Sequence, residues 1–374
     1  MHTNSLKSLS KQALTVPMHG NTPAIPGKKS SQPSFVSHSH AGMRCCFNLS
    51  EHFKKLCFSE DTLNELSRHT DLKKDAPEDL TKEWLKRQIA DCEILITGWG
   101  SIPLDAEILD AAPRLKLVLH CAGSIRSLET PEMWKRGIRI TSASNVNGIP
   151  VAEFLLGQIL MCFKDVFAYQ NRFRERGRAA WAEHEGNIAG YYHSTVGIIG
   201  MGNVGKHLLK LLGMFEMKKL VHSFYPFEDQ AHEAGARIVG IDQLMRESDA
   251  VVLLAPNIPE NLHMIDARRL ALMKDGAFLL NSGRGALVDE EALIAELKSG
   301  RINACIDVTD PEEPPREGSP LYNLPNCVLT PHIAGAVRKE CHRLGNQVVK
   351  ELRHYLNGEP FDNEVTEEFA KIIG

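Results

Sequence analysis

The stretch "TVGIIGMGNVGKHLLKLLGMF", residues 195–215, constrains the fold of this chain more than any other. A β-rich apolar run leads into Gly200, after which Leu208, Leu211, Leu212 and Phe215 recur at helical spacing. A strand, a tight turn and a helix are thus joined through Gly200, Gly202 and Gly205 in the order G-x-G-x-x-G. The first glycine permits the turn, the second lets a ligand approach the backbone, and the third lets the helix lie close to its strand. The helix start then offers unpaired N–H groups and the positive dipole end to an anion, and Lys206 adds a cation in the first turn. That combination suits the diphosphate of a dinucleotide.

Around this unit the chain alternates short apolar strands with helices. From Met43, "RCCFNL", "EILIT", "LKLVLHC" and "IRITSA" read as strands separated by helical segments. After a long helix at "PVAEFLLGQILMCFKDVFAYQNRFRERG" the alternation restarts with "TVGIIG", "KKLVHSFY", "AVVLLA", "AFLLNS", "INACIDV" and "NCVLT". Strands apolar on both faces imply parallel sheets covered by helices on each side. The closing helix "VRKECHRLGNQVVKELRHYLNG" has no further strand partner in sequence and is expected to pack back on the first unit. The expected division is a disordered or non-native extension over 1–42, a discontinuous substrate domain over 43–145 and 336–374, and a cofactor domain over 146–335. Residues 1–42 hold no Asp, Glu or Arg and show no periodicity, so they cannot build a core.

A chain of 374 residues, 43% of them hydrophobic, can bury cores in two such units. Its net charge of −4, with no long run of one sign, favours small-molecule partners over nucleic acid or a membrane surface. Nine scattered cysteines without a C-x-x-C pair encode neither a disulfide framework nor a metal site, which points to a reducing, cytoplasmic setting. Cys45 and Cys46 read as apolar filling in a strand.

Ligands in open α/β sheets bind outside the carboxyl ends of the strands. Three successive strand ends of the second unit carry chemistry there. "LLNSGRGALVDEEAL" presents Arg284, a planar donor suited to a carboxylate, and Asp289 reads as the cap of the next helix. "ACIDVTDPEE" supplies a carboxylate, with Asp310, Glu312 and Glu313 as competitors, and "NCVLTPHIAG" supplies His332. A carboxylate beside His332 would orient the imidazole for proton transfer near neutral pH. An anchor, a proton shuttle and a dinucleotide on one rim suit hydride transfer at a C–OH carbon.

"GMGNVGK", "LLNSGRGALVDEEAL", "ACIDVTDPEE" and "LTPHIAG", in this order, make residues 43–362 resemble the D-isomer-specific 2-hydroxyacid dehydrogenases. The resemblance implies two Rossmann-like or flavodoxin-like domains with doubly wound parallel sheets, an active site in the cleft between them, and pairing as a homodimer. It implies a catalytic set of Arg284, Glu312 and His332, with Glu312 chosen because it lies five residues beyond Asp307, although Glu313 holds the place before a proline. Cofactor contacts carried over are Gly200, Gly202, Asn203, Val204, Gly205, Pro256, Ser282, Gly283 and Asp307. The family's substrate carboxylate meets backbone amides of a loop that corresponds to Ser124 and Ile125. Departures from the pattern are Arg126 in that loop, which would suit a substrate with a second acidic group or a structural salt bridge, and Trp99, read as either a cleft residue or a packing anchor. Tyr225 stands where relatives place an acidic residue for the ribose; with no Arg or Lys nearby to hold a 2′-phosphate, NAD is favoured while NADP stays open. A 2-hydroxy-acid oxidoreductase is thus the leading function. A dinucleotide-sensing partner protein on the same fold is the alternative.

Overall fold

The computed structural model describes residues 42–183, 190–223 and 228–373. The first part of the chain runs β1 (Arg44–Asn48), α1 (Glu51–Cys57), α2 (Glu60–His69), β2 (Asp71–Leu72), α3 (Lys82–Ile89), β3 (Ile94–Thr97), α4 (Ala106–Asp110), β4 (Leu117–His120), α5 (Pro131–Lys135) and β5 (Arg139–Ser142). Two helices follow, α6 (Ser144–Phe163) and α7 (Val166–Arg176), then β6 (Thr195–Ile199), α8 (Asn203–Leu212), β7 (Lys218–His222), α9 (Glu228–Glu233), β8 (Ala236–Ile238) and α10 (Ile241–Glu247). The remainder is β9 (Ala250–Leu253), α11 (Ala267–Leu270), β10 (Phe278–Asn281), α12 (Glu290–Ser299), β11 (Asn303–Ile306), β12 (Cys327–Leu329), α13 (His342–Asn357), β13 (Glu364–Val365) and α14 (Glu367–Ile373).

Two sheets result. The first has the order β13-β5-β4-β3-β1-β2 and the second β12-β11-β10-β9-β6-β7-β8. All pairings are parallel except that of β13 with β5. In the first sheet β1 lies between β2 and β3, and in the second β6 lies between β7 and β9, so the connections depart in opposite directions from each sheet's first strand and leave a crevice at its C-terminal end. Helices cover both faces: one core of the second sheet lies between Leu253, Leu279, Ile306 and helix residues Leu293 and Leu297, the other between Ile198, Val252, Leu280 and helix residues Leu155, Ile159, Leu208 and Leu212. The side chains of Leu344, Val348 and Leu352 on α13 are buried with Phe47, Ile96 and Leu119 of the first sheet.

The closing segment differs from the sequence expectation, because the chain beyond α13 adds β13 to the edge of the first sheet. Arg139 on β5 locks it in place with two bonds to Glu364, at 2.6 and 2.9 Å. The long helix is also two helices, broken where Asp165 adopts a left-handed φ of 51°. By length and a mean hydropathy of 1.5, α6 could cross a membrane, but half of it is buried and its apolar face is occupied by α8. All nine cysteines are free and eight are buried, with Cys162 Sγ 3.4 Å from Cys305 Sγ. Burial pushes the thiols of Cys45 and Cys121 up, and that of Cys327 up to about 12.

Candidate active site

The glycine-rich turn leaves β6 at Gly200, whose φ of +112° and whose missing Cβ are both required: a Cβ there would lie 2.5 Å from the Leu254 carbonyl oxygen. At Gly205 a Cβ would lie 2.4 Å from the Gly200 oxygen, so this glycine lets α8 press onto its own turn. Gly202 is different, because nothing stands within 4 Å of its Cβ position. It caps α8 without a side-chain bond, and no acid occupies the first helical turn. The N-terminus is therefore left to an external anion. Asn203 Nδ2 donates to Ser144 Oγ at 3.2 Å, and the missing side chain of Gly148 makes room for the Val204 amide, whose nitrogen lies 3.3 Å from the Cβ position. Both residues thus border the start of α6 as well as the turn.

On neighbouring strand ends, Pro256 is half-buried and its carbonyl accepts from Asn261 Nδ2 at 2.9 Å. Asn281, buried at the end of β10, shapes the next turn by accepting from the Gly283 amide at 3.1 Å and donating to the Arg284 carbonyl at 3.0 Å. Between them the Ser282 hydroxyl is buried without a partner among the described residues. An open cradle at Gly202 and an orphaned hydroxyl at Ser282 fit a dinucleotide laid along this rim. Tyr225, the expected ribose contact, lies outside the described residues.

Arg284 and His332 share the rim. Arg284 Nη1 donates to the Gly283 carbonyl at 2.7 Å, and its guanidinium keeps an exposed face while protein crowds the rest. That crowding lowers its pKa from the ordinary value; attraction to Glu313 opposes the change and repulsion from Arg126 adds to it. His332 holds a left-handed φ of 52°, an uncommon conformation for a non-glycine residue. It is fixed by its amide, which donates to the carbonyls of Asp307 at 2.9 Å and Thr330 at 3.1 Å. Its Nδ1 is bonded to a carboxylate oxygen of Glu313.

One sequence assignment changes here. Glu313, not Glu312, partners His332, because the Thr309 hydroxyl donates to the Glu312 carbonyl at 2.7 Å and closes a turn that brings the next residue to the imidazole. Asp307, carried over as a cofactor contact, is buried and accepts from the Thr330 hydroxyl at 2.6 Å and from the amides of Ile333 and Ala334, each at 2.9 Å. It therefore buckles down the loop that carries His332. A cavity of about 620 Å³ opens at the pair, lined by Phe167, Asn171, Glu313, Leu321, Tyr322 and His332 among others.

The first sheet contributes the loop after β4. Its Ile125 side chain is core, 1% exposed, so only its backbone faces outward. His120 was not singled out in the sequence, yet it organises this loop: Nδ1 meets the Thr97 hydroxyl at 2.9 Å and Nε2 donates to the Ser124 carbonyl at 3.0 Å. Burial pushes its pKa down to about 4, which keeps the ring neutral and suited to one donor and one acceptor role. Ser124 Oγ accepts from the Arg126 amide at 3.4 Å, and the Arg126 side chain is exposed. Trp99 is half-buried against Phe53, with ring centroids 6.2 Å apart, and packs on the core between the first-sheet strands and α13. Asn147 on α6 also went unread. Its Oδ1 accepts from the Ala336 amide at 3.0 Å, and the Cβ positions of Gly123 and Gly335 lie 3.4 and 3.5 Å from its amide group. It joins the loop after β4 to the segment after His332.

Residues 156–334 match the D-isomer specific 2-hydroxyacid dehydrogenase, NAD binding domain. A glyoxylate reductase of Korarchaeum cryptofilum is 33% identical over 320 residues, 84% of this chain and 95% of that one. This chain belongs to the D-isomer-specific 2-hydroxyacid dehydrogenase family. A D-3-phosphoglycerate dehydrogenase of Methanocaldococcus jannaschii is 29% identical over 288 residues, 76% of this chain and 54% of that one. The crystal structure of a Thermus thermophilus protein superposes with a TM-score of 0.69 at 30% identity, over 87% of this chain and 100% of that one. As a member of the family the protein is an NAD-dependent oxidoreductase of CH–OH donors, and the family acts on small 2-hydroxy and 2-oxo acids.

Proposed function

We propose that this dehydrogenase interconverts a D-2-hydroxy acid and the matching 2-oxo acid, with His332 as the acid and base, Glu313 as its orienting partner and Arg284 as the carboxylate anchor. The observation that carries this reading is the bond from His332 Nδ1 to Glu313 on the rim shared with Arg284. Gly200, Gly202, Asn203, Val204, Gly205, Pro256, Ser282 and Gly283 would hold the dinucleotide, which when bound supplies or accepts the hydride. The rest is done by the chain. Arg284 grips the substrate carboxylate through its planar fork and steadies the charge that grows on the carbonyl oxygen during reduction. His332 Nδ1–H donates to Glu313, which leaves Nε2 to deliver a proton to that oxygen, or to remove it in the reverse direction. Glu313 stabilises the imidazolium between these steps. Amides of Ser124 and Ile125 complete the carboxylate site from the other sheet.

In this reading residues 43–145 and 336–374 form the substrate domain and 146–335 the cofactor domain. NAD is preferred over NADP because residues 223–229 carry no Arg or Lys to hold a 2′-phosphate. The exposed aromatics Phe173, Trp181 and Tyr192, 40, 65 and 68% exposed, support a homodimer through the α7 region. The free thiols support a reducing, cytoplasmic setting. Spectrophotometric turnover of a panel of 2-oxo acids with NADH and NADPH tests the reading. Activity with NADH is expected; silence across the panel with intact cofactor binding would sink it, and a tenfold preference for NADPH would reverse the cofactor choice. Sedimentation should give a dimer.

A further inference from the structure

The peptide unit that joins Ser124 to Ile125 is held by the protein from one end. Its carbonyl accepts from His120 Nε2 at 3.0 Å, while its other polar group, the Ile125 N–H, has no hydrogen-bond partner among the described residues. An N–H in a folded protein is paired with protein, water or a ligand, and here the protein supplies nothing. The peptide is trans, which sets its C=O and N–H on opposite sides of one plane. With the oxygen turned to the buried His120 ring, the N–H is turned away from it.

The ring can make that bond in one way. A carbonyl only accepts, so Nε2 carries the proton; burial keeps the ring neutral, so Nδ1 is left as an acceptor. What Nδ1 meets is the Thr97 hydroxyl, at 2.9 Å, on the residue paired with His120 across β3 and β4. Three donors thus run in one direction: Thr97 O–H to His120, His120 Nε2–H to the Ser124 carbonyl, and the Ile125 N–H beyond. Each bond polarises the next.

This loop borders the segment that carries the proton shuttle. Asn147 Nδ2 lies 3.4 Å from the Cβ position of Gly123, the residue before Ser124, and 3.5 Å from that of Gly335, three residues beyond His332. Resting on the reading of the Ser124 and Ile125 amides as part of the carboxylate site, we infer that Thr97 and His120 are positioning residues for the substrate: His120, oriented by Thr97, turns the Ser124–Ile125 peptide so that the Ile125 N–H donates to the substrate carboxylate. The orientation of the 2-oxo acid against His332 then depends on a side chain that does not touch it.

The test uses the full chain with saturating NADH, or NADPH where that is preferred, and whichever of glyoxylate, pyruvate, hydroxypyruvate, 2-oxoglutarate and phenylpyruvate is turned over best. His120→Leu removes both bonds of the ring. It should raise KM for that acid about 10- to 100-fold, the range for losing one hydrogen bond to a charged group, with kcat within about threefold and NADH affinity by fluorescence titration unchanged. His120→Gln keeps an N–H donor for the Ser124 carbonyl and should recover most of the rise. Thr97→Val removes only the bond that sets the ring and should raise KM about three- to tenfold; combined with His120→Leu it should add nothing, because both act through one peptide. An unchanged KM in His120→Leu, a Gln variant no better than the Leu variant, or a parallel loss of NADH affinity would overturn the inference and leave the dehydrogenase reading standing. Should His120→Leu fail to fold, Thr97→Val decides alone: a rise confined to KM supports the relay, and an unchanged KM overturns it. Silence of the unaltered enzyme with all five acids would overturn both.

Discussion

The two sheets both reverse their strand order at the first strand and differ in how they treat the helix that leaves it. After β1 the helix start is satisfied from within: Ser50 Oγ accepts from the Phe53 amide at 3.5 Å and the Glu51 amide donates to the Pro77 carbonyl at 2.7 Å. Glu51 also places a carboxylate at the positive dipole end, paired to Lys54 at 2.6 Å. After β6 the corresponding helix is capped by Gly202, with no side-chain bond and no acid in its first turn. The crevice is present in both places. Only the helix that does not answer its own charge and hydrogen-bonding demand has anything left for a phosphate. Topology therefore supplies a place for a ligand, and the residues of the turn decide whether it is used.

That contrast can be broken at several points. The largest effect is expected at the rim of the second sheet: His332→Ala should lower turnover about 10²- to 10⁴-fold with cofactor affinity nearly intact, seen by steady-state kinetics beside NADH fluorescence titration. Unchanged turnover would remove His332 from proton transfer. Gly205→Ala puts a Cβ 2.4 Å from the Gly200 oxygen and should weaken NADH binding by at least about tenfold through a displaced turn. Its counterpart, Ser50→Ala in the first sheet, should leave binding untouched.

Glu313→Gln should reduce kcat about 10- to 100-fold, as orienting partners of a working imidazole do, whereas Glu312→Gln should stay within about twofold. The reverse order would restore Glu312. His120 gives a pH signature on the first sheet. The folded ring resists protonation down to about 4 while the unfolded chain takes its proton near the ordinary 6.5. Stability should therefore fall as pH drops through that window, by on the order of 1 kcal/mol per unit, and His120→Gln should flatten the slope of urea midpoint against pH. The smallest effect is that of Ser50→Ala on stability, about 1 kcal/mol for a lost cap, read from the same urea curves.

Much of this arrangement is legible in the sequence where a residue type has one sensible use. The glycine spacing at 200–205 announces its turn, and Asp289 accepts from the Ala292 amide at 3.1 Å as the cap its position suggests. Arg284 and His332 stand at strand ends because apolar runs stop there. What escapes is what depends on a partner distant in sequence. A polar residue closing a strand looks the same whether it faces solvent or, like His120, pins a loop. Asn147 in a helical stretch gives no hint that it reaches Ala336, 189 residues away. The exchange of Glu312 for Glu313 is a matter of one residue in a loop, fixed by the Thr309 turn. The break at Asp165 is silent because both flanks favour helix, and the pairing of β13 is too short to leave an alternating pattern.

The free cysteines have a practical consequence. Cys45, Cys46, Cys57, Cys92, Cys121 and Cys341 sit in the cores around the first sheet, and Cys162 and Cys305 in that of the second, while Cys327 alone is partly open. Pulsed alkylation followed by peptide mass mapping would then time the opening of each sheet separately, with no label to introduce and no residue to change. The native chain carries a reporter in each of its two halves.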